Sequence, residues 1–518
     1  MSQDRLTKQK EALCATCTSM MDIKVALDKY EQTHLLSFYG HLSIEERKSL
    51  LDQLASIDFK EAREMFQEAL EVMEQQESLT GKTIEPVPIS EFGSALTCGE
   101  AKIQEYWNAG LHAIGEGKVA ALVLCGGQGT RLGLDIPKGM ISVNLPSGKT
   151  IMQIHIERIK RLQELSGKLL GKQVVLPLYV LTSEATHDQI RVFLEENEYF
   201  ELQKEDIVLF KQGMNPCFTF EGKIILSEKN VVAMAPDGTG GLYKAMAKNG
   251  IFADMEKRGV RYIYVFPIDN IMAKVADPIF VGYCMETNSD CAAKVIKKHK
   301  AKQNVGNICK VDGDYSVVEY SEISDELATQ TDDQGELRFH SGSICIHMFT
   351  LDFMKQMAEV KLKPHVAKKK VPFVDEEGVK RKPTKPNAVK VERFVFEAFK
   401  FSRGFVTWEV GYDEFSPIKN PNSVKYECPL TARTDLLSMH KSYVEKLGGV
   451  LEHAEAEVSP LLSYAGENLG DRVKGVVFPP FSSTHIQSEE EYDKNQVDLS
   501  YQSFSQLFNI KPTMILDG

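Results

Sequence analysis

Arg131 and Lys138 are set in the run L-V-L-C-G-G-Q-G-T-R-L-G-L-D-I-P-K, residues 122–138, with Gly126, Gly127 and Gly129 just ahead of them. Glycine permits positive φ and close backbone approach, so several N–H groups can converge on one anion. Two side-chain cations then add the full charge that backbone dipoles lack, and the chemistry such a turn serves is the gripping of phosphate. Before it, residues 119–124 (V-A-A-L-V-L) are continuously apolar, as in a strand buried on both faces of a parallel sheet. The turn therefore falls at a strand's carboxyl end, where such sheets bind ligands. It is neither of two better-known loops: a P-loop ends in Gly-Lys-Ser/Thr, and the dinucleotide fingerprint needs glycine where Leu132 stands.

The elements around the turn alternate buried strands with amphipathic helices, the pattern of a doubly wound α/β sheet. The spacing predicts a helix from Thr150 to Leu165, a strand from Val174 to Thr182, a helix from Ser183 to Glu196, a strand from Asp206 to Phe210 and a hairpin at Glu221 and Gly222. A helix from Leu242 to Lys257, a strand from Tyr262 to Pro267 and antiparallel strands between Ala292 and Tyr320 follow, so the sheet is expected to be mixed. Residues 24–77 carry apolar side chains at helical spacing, with Ser43 and Glu46 as a capping box, and read as a helical N-terminal layer. Past Leu430 a helix from Ala432 to Lys446 leads into short Val, Phe and Pro-rich segments, a small β-containing C-terminal domain. The expected division is 1–100 for the helical region and linker, 101–425 for the catalytic domain and 426–518 for the C-terminal domain.

At 518 residues the chain exceeds a single core, and 43% hydrophobic with 26% charged residues is the composition of a globular protein. Its net charge of −12 argues against nucleic acid or anionic lipid as a broad-surface partner, so local lysines matter more than the total. The N-terminal M-S-Q-D-R-L-T-K-Q-K lacks the apolar core of a signal peptide, no apolar run is long enough to span a bilayer, and a cytoplasmic location is expected. Ten cysteines in so long a chain suggest reduced thiols. Cys14 and Cys17 form a lone C-x-x-C without a second pair at zinc spacing.

The run G-G-Q-G-T-R-L-G, with P-K-G at Pro137 to Gly139, resembles the signature of the eukaryotic UDP-N-acetylhexosamine (UDP-N-acetylglucosamine) pyrophosphorylases. Further blocks agree in order: E-P-V-P at Glu85, Q-G-M at Gln212, M-A-P-D-G-T-G-G-L-Y at Met234, K-V-A-D-P at Lys274, V-V-E-Y-S-E-I-S at Val317, D-E-F-S-P-I-K-N at Asp413 and S-P-L-L-S-Y-A-G-E at Ser459. The resemblance implies a nucleotidyltransferase of Rossmann-like α/β fold that makes UDP-N-acetylglucosamine, and UDP-N-acetylgalactosamine as a second product, with pyrophosphate, from UTP and N-acetylhexosamine 1-phosphate. Magnesium or manganese is the implied cofactor.

Residue by residue, the resemblance implies that Arg131 holds the leaving pyrophosphate and Lys138 the α-phosphate, with Leu124, Cys125, Gly126, Gly127, Gly129 and Thr130 forming the nucleotide loop. Gln212 is an implied uracil contact, and its amide, one donor and one acceptor, suits uracil's edge. Gly238 lets backbone approach nucleotide or sugar, and Asp269 is assigned to the nucleotide or its metal, a hard oxygen ligand suiting magnesium. Asn270, Glu319 and Tyr320 are implied sugar contacts, and Lys390 and Lys419 implied phosphate contacts; if both lysines reach the site, the C-terminal parts would close over it as a lid. Three positions depart from the family pattern: Cys125 for alanine, and Thr239 and Ser343 for asparagines near the sugar. Convergent N–H dipoles and Arg131 are expected to depress the pKa of Cys125 and make it reactive. The alternatives are a UDP-glucose or broad UDP-sugar pyrophosphorylase using the same lysines, and a sugar-nucleotide-binding regulator without turnover.

Overall fold

The computed structural model describes residues 20–74, 81–452, 454–479 and 482–487; Cys14 and Cys17 lie outside these residues. The chain packs as two compact units. One gathers the described part of Met1–Thr80 with Gly213–Leu242 and Lys361–Glu397, and the other Gly81–Gln212, Tyr243–Val360 and the described part of Ala398–Gly518.

In the first unit the expected helical layer is present as α1 (Met20–Lys29), α2 (Ile44–Ala55) and α3 (Phe59–Glu74). The capping box opens α2: the Glu46 N–H donates to Ser43 Oγ at 3.2 Å and the Ser43 N–H to Glu46 Oε2 at 2.8 Å. Together these satisfy two amides that a helix start leaves without partners. The apolar stripe of the helices, including Leu27, Leu50 and Leu54, packs with Phe218, Ile224, Val389 and Val391 into one core. Residues 219–223 make the expected hairpin, with Gly222 at φ 83°. Lys390 sits on a strand (Ala388–Glu392) paired antiparallel with His365–Lys369.

The second unit is built on an 11-stranded sheet. Its principal strands are β1 (Phe92–Ser94), β2 (Val119–Leu124), β3 (Leu178–Thr182), β4 (Ile207–Lys211), β5 (Tyr262–Pro267), β6 (Cys291–Lys297), β7 (Ser341–Thr350) and β8 (Phe405–Val410). They lie in the order β1-β8-β6-β7-β5-β2-β3-β4. The neighbours β5, β2, β3 and β4 are parallel, as are β1, β8 and β6, whereas β7 runs antiparallel to both β5 and β6. The sheet is mixed as expected. Residues 119–122 are fully buried, which explains the unbroken apolar run of β2. Registers of Pro267 with Leu124 and Leu124 with Leu181 bring the ends of β5, β2 and β3 to one edge.

Several boundaries differ for local reasons. β3 starts at Leu178 instead of Val174 because Pro177 has no N–H to give a ladder. The following helix starts at His187 instead of Ser183, since residues 183–186 close a turn in which Thr186 Oγ1 accepts the Ser183 N–H at 3.0 Å. The helix capped by Thr150 runs on to Leu170 and stops at Gly171 in the left-handed region. The helix expected over Leu242–Lys257 is two, Leu242–Lys248 and Ile251–Arg258, broken where Gly250 takes φ 70°. Residues 292–320 are not all antiparallel: β6 is parallel to β8, while Asn307–Val311 and Asp314–Val318 form the antiparallel hairpin. The C-terminal segment contributes the helix Pro429–Lys446 and a parallel strand pair, Glu455–Val458 with Ser483–Ile486. Among the described residues no helix is long and apolar enough to cross a membrane.

Candidate active site

The glycine turn leaves β2 at Leu124 and is held from behind. Ser183 Oγ donates to the Gly126 carbonyl at 2.9 Å and Thr186 Oγ1 to the Cys125 carbonyl at 3.3 Å, so the turn after β3 fixes the carbonyls of the turn after β2. Sequence reading missed both hydroxyls; a Ser and a Thr three residues apart at a strand's end were the available signal. Gly129 and Lys138 donate their amides to the Ile136 and Gly127 carbonyls, closing the loop on itself. Among the described residues the amides of Gly126, Gly127 and Gln128 donate to no protein acceptor, and Arg131 and Thr130 are exposed. Gln212, at the end of β4, covers Gly126: a Cβ there would lie 2.7 Å from Gln212 Oε1. Any larger residue would push the Gln212 amide aside, and with glycine there that amide edge lies against the turn.

Lys138 is the hinge of the constellation. Its Nζ donates to Asp269 Oδ2 at 2.8 Å and to the Ile418 carbonyl at 2.9 Å. Asp269 follows β5, whose end lies beside β2, with the Ile268 N–H donating to the Leu124 carbonyl. Gly139 permits the approach, since a Cβ there would stand 3.2 Å from Ile268. In turn the Ile418 N–H donates to the Asp269 carbonyl at 2.9 Å, and Lys419 follows, with Nζ 3.3 Å from Glu427 Oε1. So Lys138, Asp269 and Lys419, distant in sequence, share one corner.

The segment holding Ile418 and Lys419 is anchored by buried polar groups. Asn270 is fully buried, its Nδ2 donating to the Glu414 carbonyl at 2.8 Å and its Oδ1 accepting the N–H of Ser416 at 2.9 Å and of Met272 at 3.3 Å. The Asn270 amide thereby positions the 414–418 segment. Behind it, fully buried Lys294 bonds Asp277 at 2.6 Å and Glu414 at 2.5 Å, and Lys274 pairs with Glu414 at 3.0 Å. Burial alone would raise the Glu414 pKa, but the flanking Lys274 and Lys294 ammonium groups hold it well below the usual carboxylate range. Sequence reading did not single out Lys294, Asp277 or Glu414.

Elsewhere on the sheet, Ser343 on β7 donates its N–H to the Gly306 carbonyl at 2.8 Å. A Cβ on Gly306 would lie 3.5 Å from Glu319 Oε1, so Glu319 and Ser343 flank the same residue. Tyr320 is exposed. Cys345, also missed, is the one exposed residue of β7; it takes φ 58° where the β6–β7 register shifts, and its thiol lies within electrostatic reach of Lys419, Asp269 and Glu319. Bulges that re-aim a side chain are common beside active sites. Cys125, by contrast, is fully buried, and burial pushes its thiol pKa up to about 12. The expected depression and reactivity are overturned: the side chain belongs to the core while only its backbone serves the turn.

Three expected site residues lie in the first unit. Gly238 takes φ 87°, and a Cβ there would strike the Arg393 carbonyl at 2.3 Å. Thr239 Oγ1 accepts the Val395 N–H at 3.1 Å. Lys390, half-buried, stands opposite Ala367 on its strand pair. Among the described residues no group of three or more His, Cys, Asp or Glu side chains could hold a metal by itself.

A mixed sheet with a cationic glycine turn at its carboxyl edge defines a nucleotidyltransferase-like α/β protein. Residues 59–464 match the family described as UTP–glucose-1-phosphate uridylyltransferase, and the chain belongs to that family. It is 42% identical over 469 residues to UDP-N-acetylhexosamine pyrophosphorylase-like protein 1 of Xenopus tropicalis, covering 86% of this chain and 92% of the relative. It is 37% identical over 473 residues to UDP-N-acetylglucosamine pyrophosphorylase of Saccharomyces cerevisiae, covering 89% and 98%. Among solved structures, the uridine diphosphate N-acetylglucosamine pyrophosphorylase of Trypanosoma brucei in complex with inhibitor superposes with a TM-score of 0.79 at 30% identity, over 92% of this chain and 100% of that one.

Proposed function

We propose that this chain is a uridylyltransferase that joins UTP to N-acetylhexosamine 1-phosphate, giving UDP-N-acetylhexosamine and pyrophosphate. Uridylyl transfer is the activity named for its family and relatives, and those relatives support UDP-N-acetylglucosamine as the product. The observation that carries the reading is the Lys138 ammonium, held by Asp269 and the Ile418 carbonyl at the edge where the glycine turn opens its amides.

In this reaction a sugar-phosphate oxygen attacks the α-phosphorus as the bond to pyrophosphate breaks. Two anions must approach, and repulsion of about 4 kcal/mol per unit pair at 4 Å, for an effective dielectric near 20, has to be offset. Lys138 supplies charge at the α-phosphate, Lys419 holds the incoming phosphate, and Arg131 with the amides of Gly126 and Gly127 receives the departing pyrophosphate. Gln212 reads the uracil edge, and Glu319 with Tyr320 fixes sugar hydroxyls. The roles that the family likeness implies for Gly238, Thr239 and Lys390 belong to the same proposal.

Asp269 suits a magnesium or manganese ion, because magnesium binds through one or two carboxylates together with substrate phosphates. Such an ion would neutralise phosphate charge. The chain's own part is to present that carboxylate beside Lys138 at the strand end. Cytoplasmic action is part of the proposal, supported by eight free thiols among the described residues. A substrate panel tests the whole: pyrophosphate release from UTP is expected with N-acetylglucosamine 1-phosphate well above glucose 1-phosphate. The reverse preference would identify a UDP-glucose enzyme, and no release with any hexose phosphate a binding protein without turnover.

A further inference from the structure

Lys419 is not held as an idle surface lysine. Its ammonium stands 3.3 Å from Glu427 Oε1 and over the face of Phe415, 5.9 Å from the ring centre. Glu427 is an unusual partner. Its backbone takes φ 46°, in the left-handed region that strains a residue with a Cβ. Its carbonyl accepts the N–H groups of both Lys419, at 2.7 Å, and Asn420, at 2.9 Å, so the residue is clamped at the neck of the 419–427 loop. Its second carboxylate oxygen, Oε2, is buried without a hydrogen-bond partner. A carboxylate retained for stability would satisfy both oxygens, whereas this one bears strain and an orphan oxygen beside a single long ion pair.

From this we infer that Glu427 is an affinity-setting residue: its carboxylate stands in for phosphate on Lys419, and the sugar phosphate must displace it to bind. The inference rests on the assignment of Lys419 to the incoming phosphate. A phosphate dianion offers three oxygens and up to twice the charge, so it outcompetes one poorly satisfied carboxylate, while singly charged acids do not. The displaced carboxylate raises the threshold for ground-state binding, which acts on KM and not on the rate of the bound complex. The effect is modest because the pair is partly exposed, with side chains 36% and 17% accessible.

The test is a double-mutant cycle on the full chain, reading KM for N-acetylglucosamine 1-phosphate. In Glu427→Gln, which keeps shape and removes charge, KM is expected to fall about threefold, with the change in KM rather than kcat, and Glu427→Asp, whose shorter reach frees Lys419, should move it the same way. Lys419→Met should raise KM at least about tenfold, and adding Glu427→Gln to it should change nothing further. An unchanged or raised KM in Glu427→Gln would overturn the inference, showing that Glu427 only holds the loop. A fall in KM that persists without Lys419 would overturn it too. If Lys419→Met alone leaves KM unaltered, the phosphate role of Lys419 itself fails, a result read in a separate variant and so distinguishable.

Discussion

Replacing Lys138 by methionine removes the one ammonium that joins the two halves of the corner. Its Nζ lies 2.8 Å from Asp269 Oδ2 with side chains 16% and 19% exposed, a partly desolvated pair. A unit charge at such range is worth about 6 kcal/mol at an effective dielectric near 20. The α-phosphate competes for that ammonium with Asp269, so the transition state keeps only the difference. About 3 kcal/mol, the scale of one lost oxyanion contact, corresponds to a fall in kcat of roughly a hundredfold. Folding should lose far less, about 1 kcal/mol, because Asp269 retains access to water. The assay is steady-state pyrophosphate release with saturating UTP and N-acetylglucosamine 1-phosphate, beside calorimetric UTP binding, which should be largely kept. A variant turning over within about threefold of the parent, on a scale where one such contact counts for a hundredfold, would refute the reasoning.

Other outcomes follow from the surrounding geometry. Lys294→Met leaves Asp277 and Glu414 buried without that cation and should cost about 3–5 kcal/mol in urea unfolding; a loss below about 1 kcal/mol would mean water replaces it. Because the folded Glu414 carboxyl titrates below its unfolded value, its stabilisation is full above that value and is lost as pH falls through the folded one. Stability should therefore decline below about pH 4.3, and less steeply in Glu414→Gln. Asn270→Ala should cut kcat/KM by about a hundredfold through displacement of the 414–418 segment, whereas a pure sugar contact would move KM for the sugar alone. Native labelling with iodoacetamide, read by peptide mapping, should modify the exposed Cys345 slowly, because its thiol pKa is pushed up to about 11, and spare the fully buried Cys125.

What the sequence made legible was local. The apolar run of β2, the glycines after it and the capping box of α2 each draw their conformation from neighbours within a few residues. The break at Gly250, which the helical spacing passed over, had a local signal too, since Asn249-Gly250 is a turn dipeptide inside a helical pattern. By contrast, the Lys138 contacts join residues 131 and 280 positions apart, and no spacing rule reaches across such intervals. Cys125 was misread for the same reason. Its loop is local, but the burial that raises its pKa comes from packing in the core of the sheet, against which the hydrogen bond to the Gly139 backbone works only in part. The tie from the Asn270 amide to the Glu414 carbonyl likewise spans 144 positions, beyond any local pattern.

The central claim is that the turn from Cys125 to Lys138 receives the phosphates of a uridine nucleotide. A crystal structure with UDP-N-acetylglucosamine tests it most directly. The expected result is a diphosphate within hydrogen-bond distance of the Gly126 and Gly127 amides and of Lys138, with uracil against Gln212. A diphosphate bound away from this turn would contradict it.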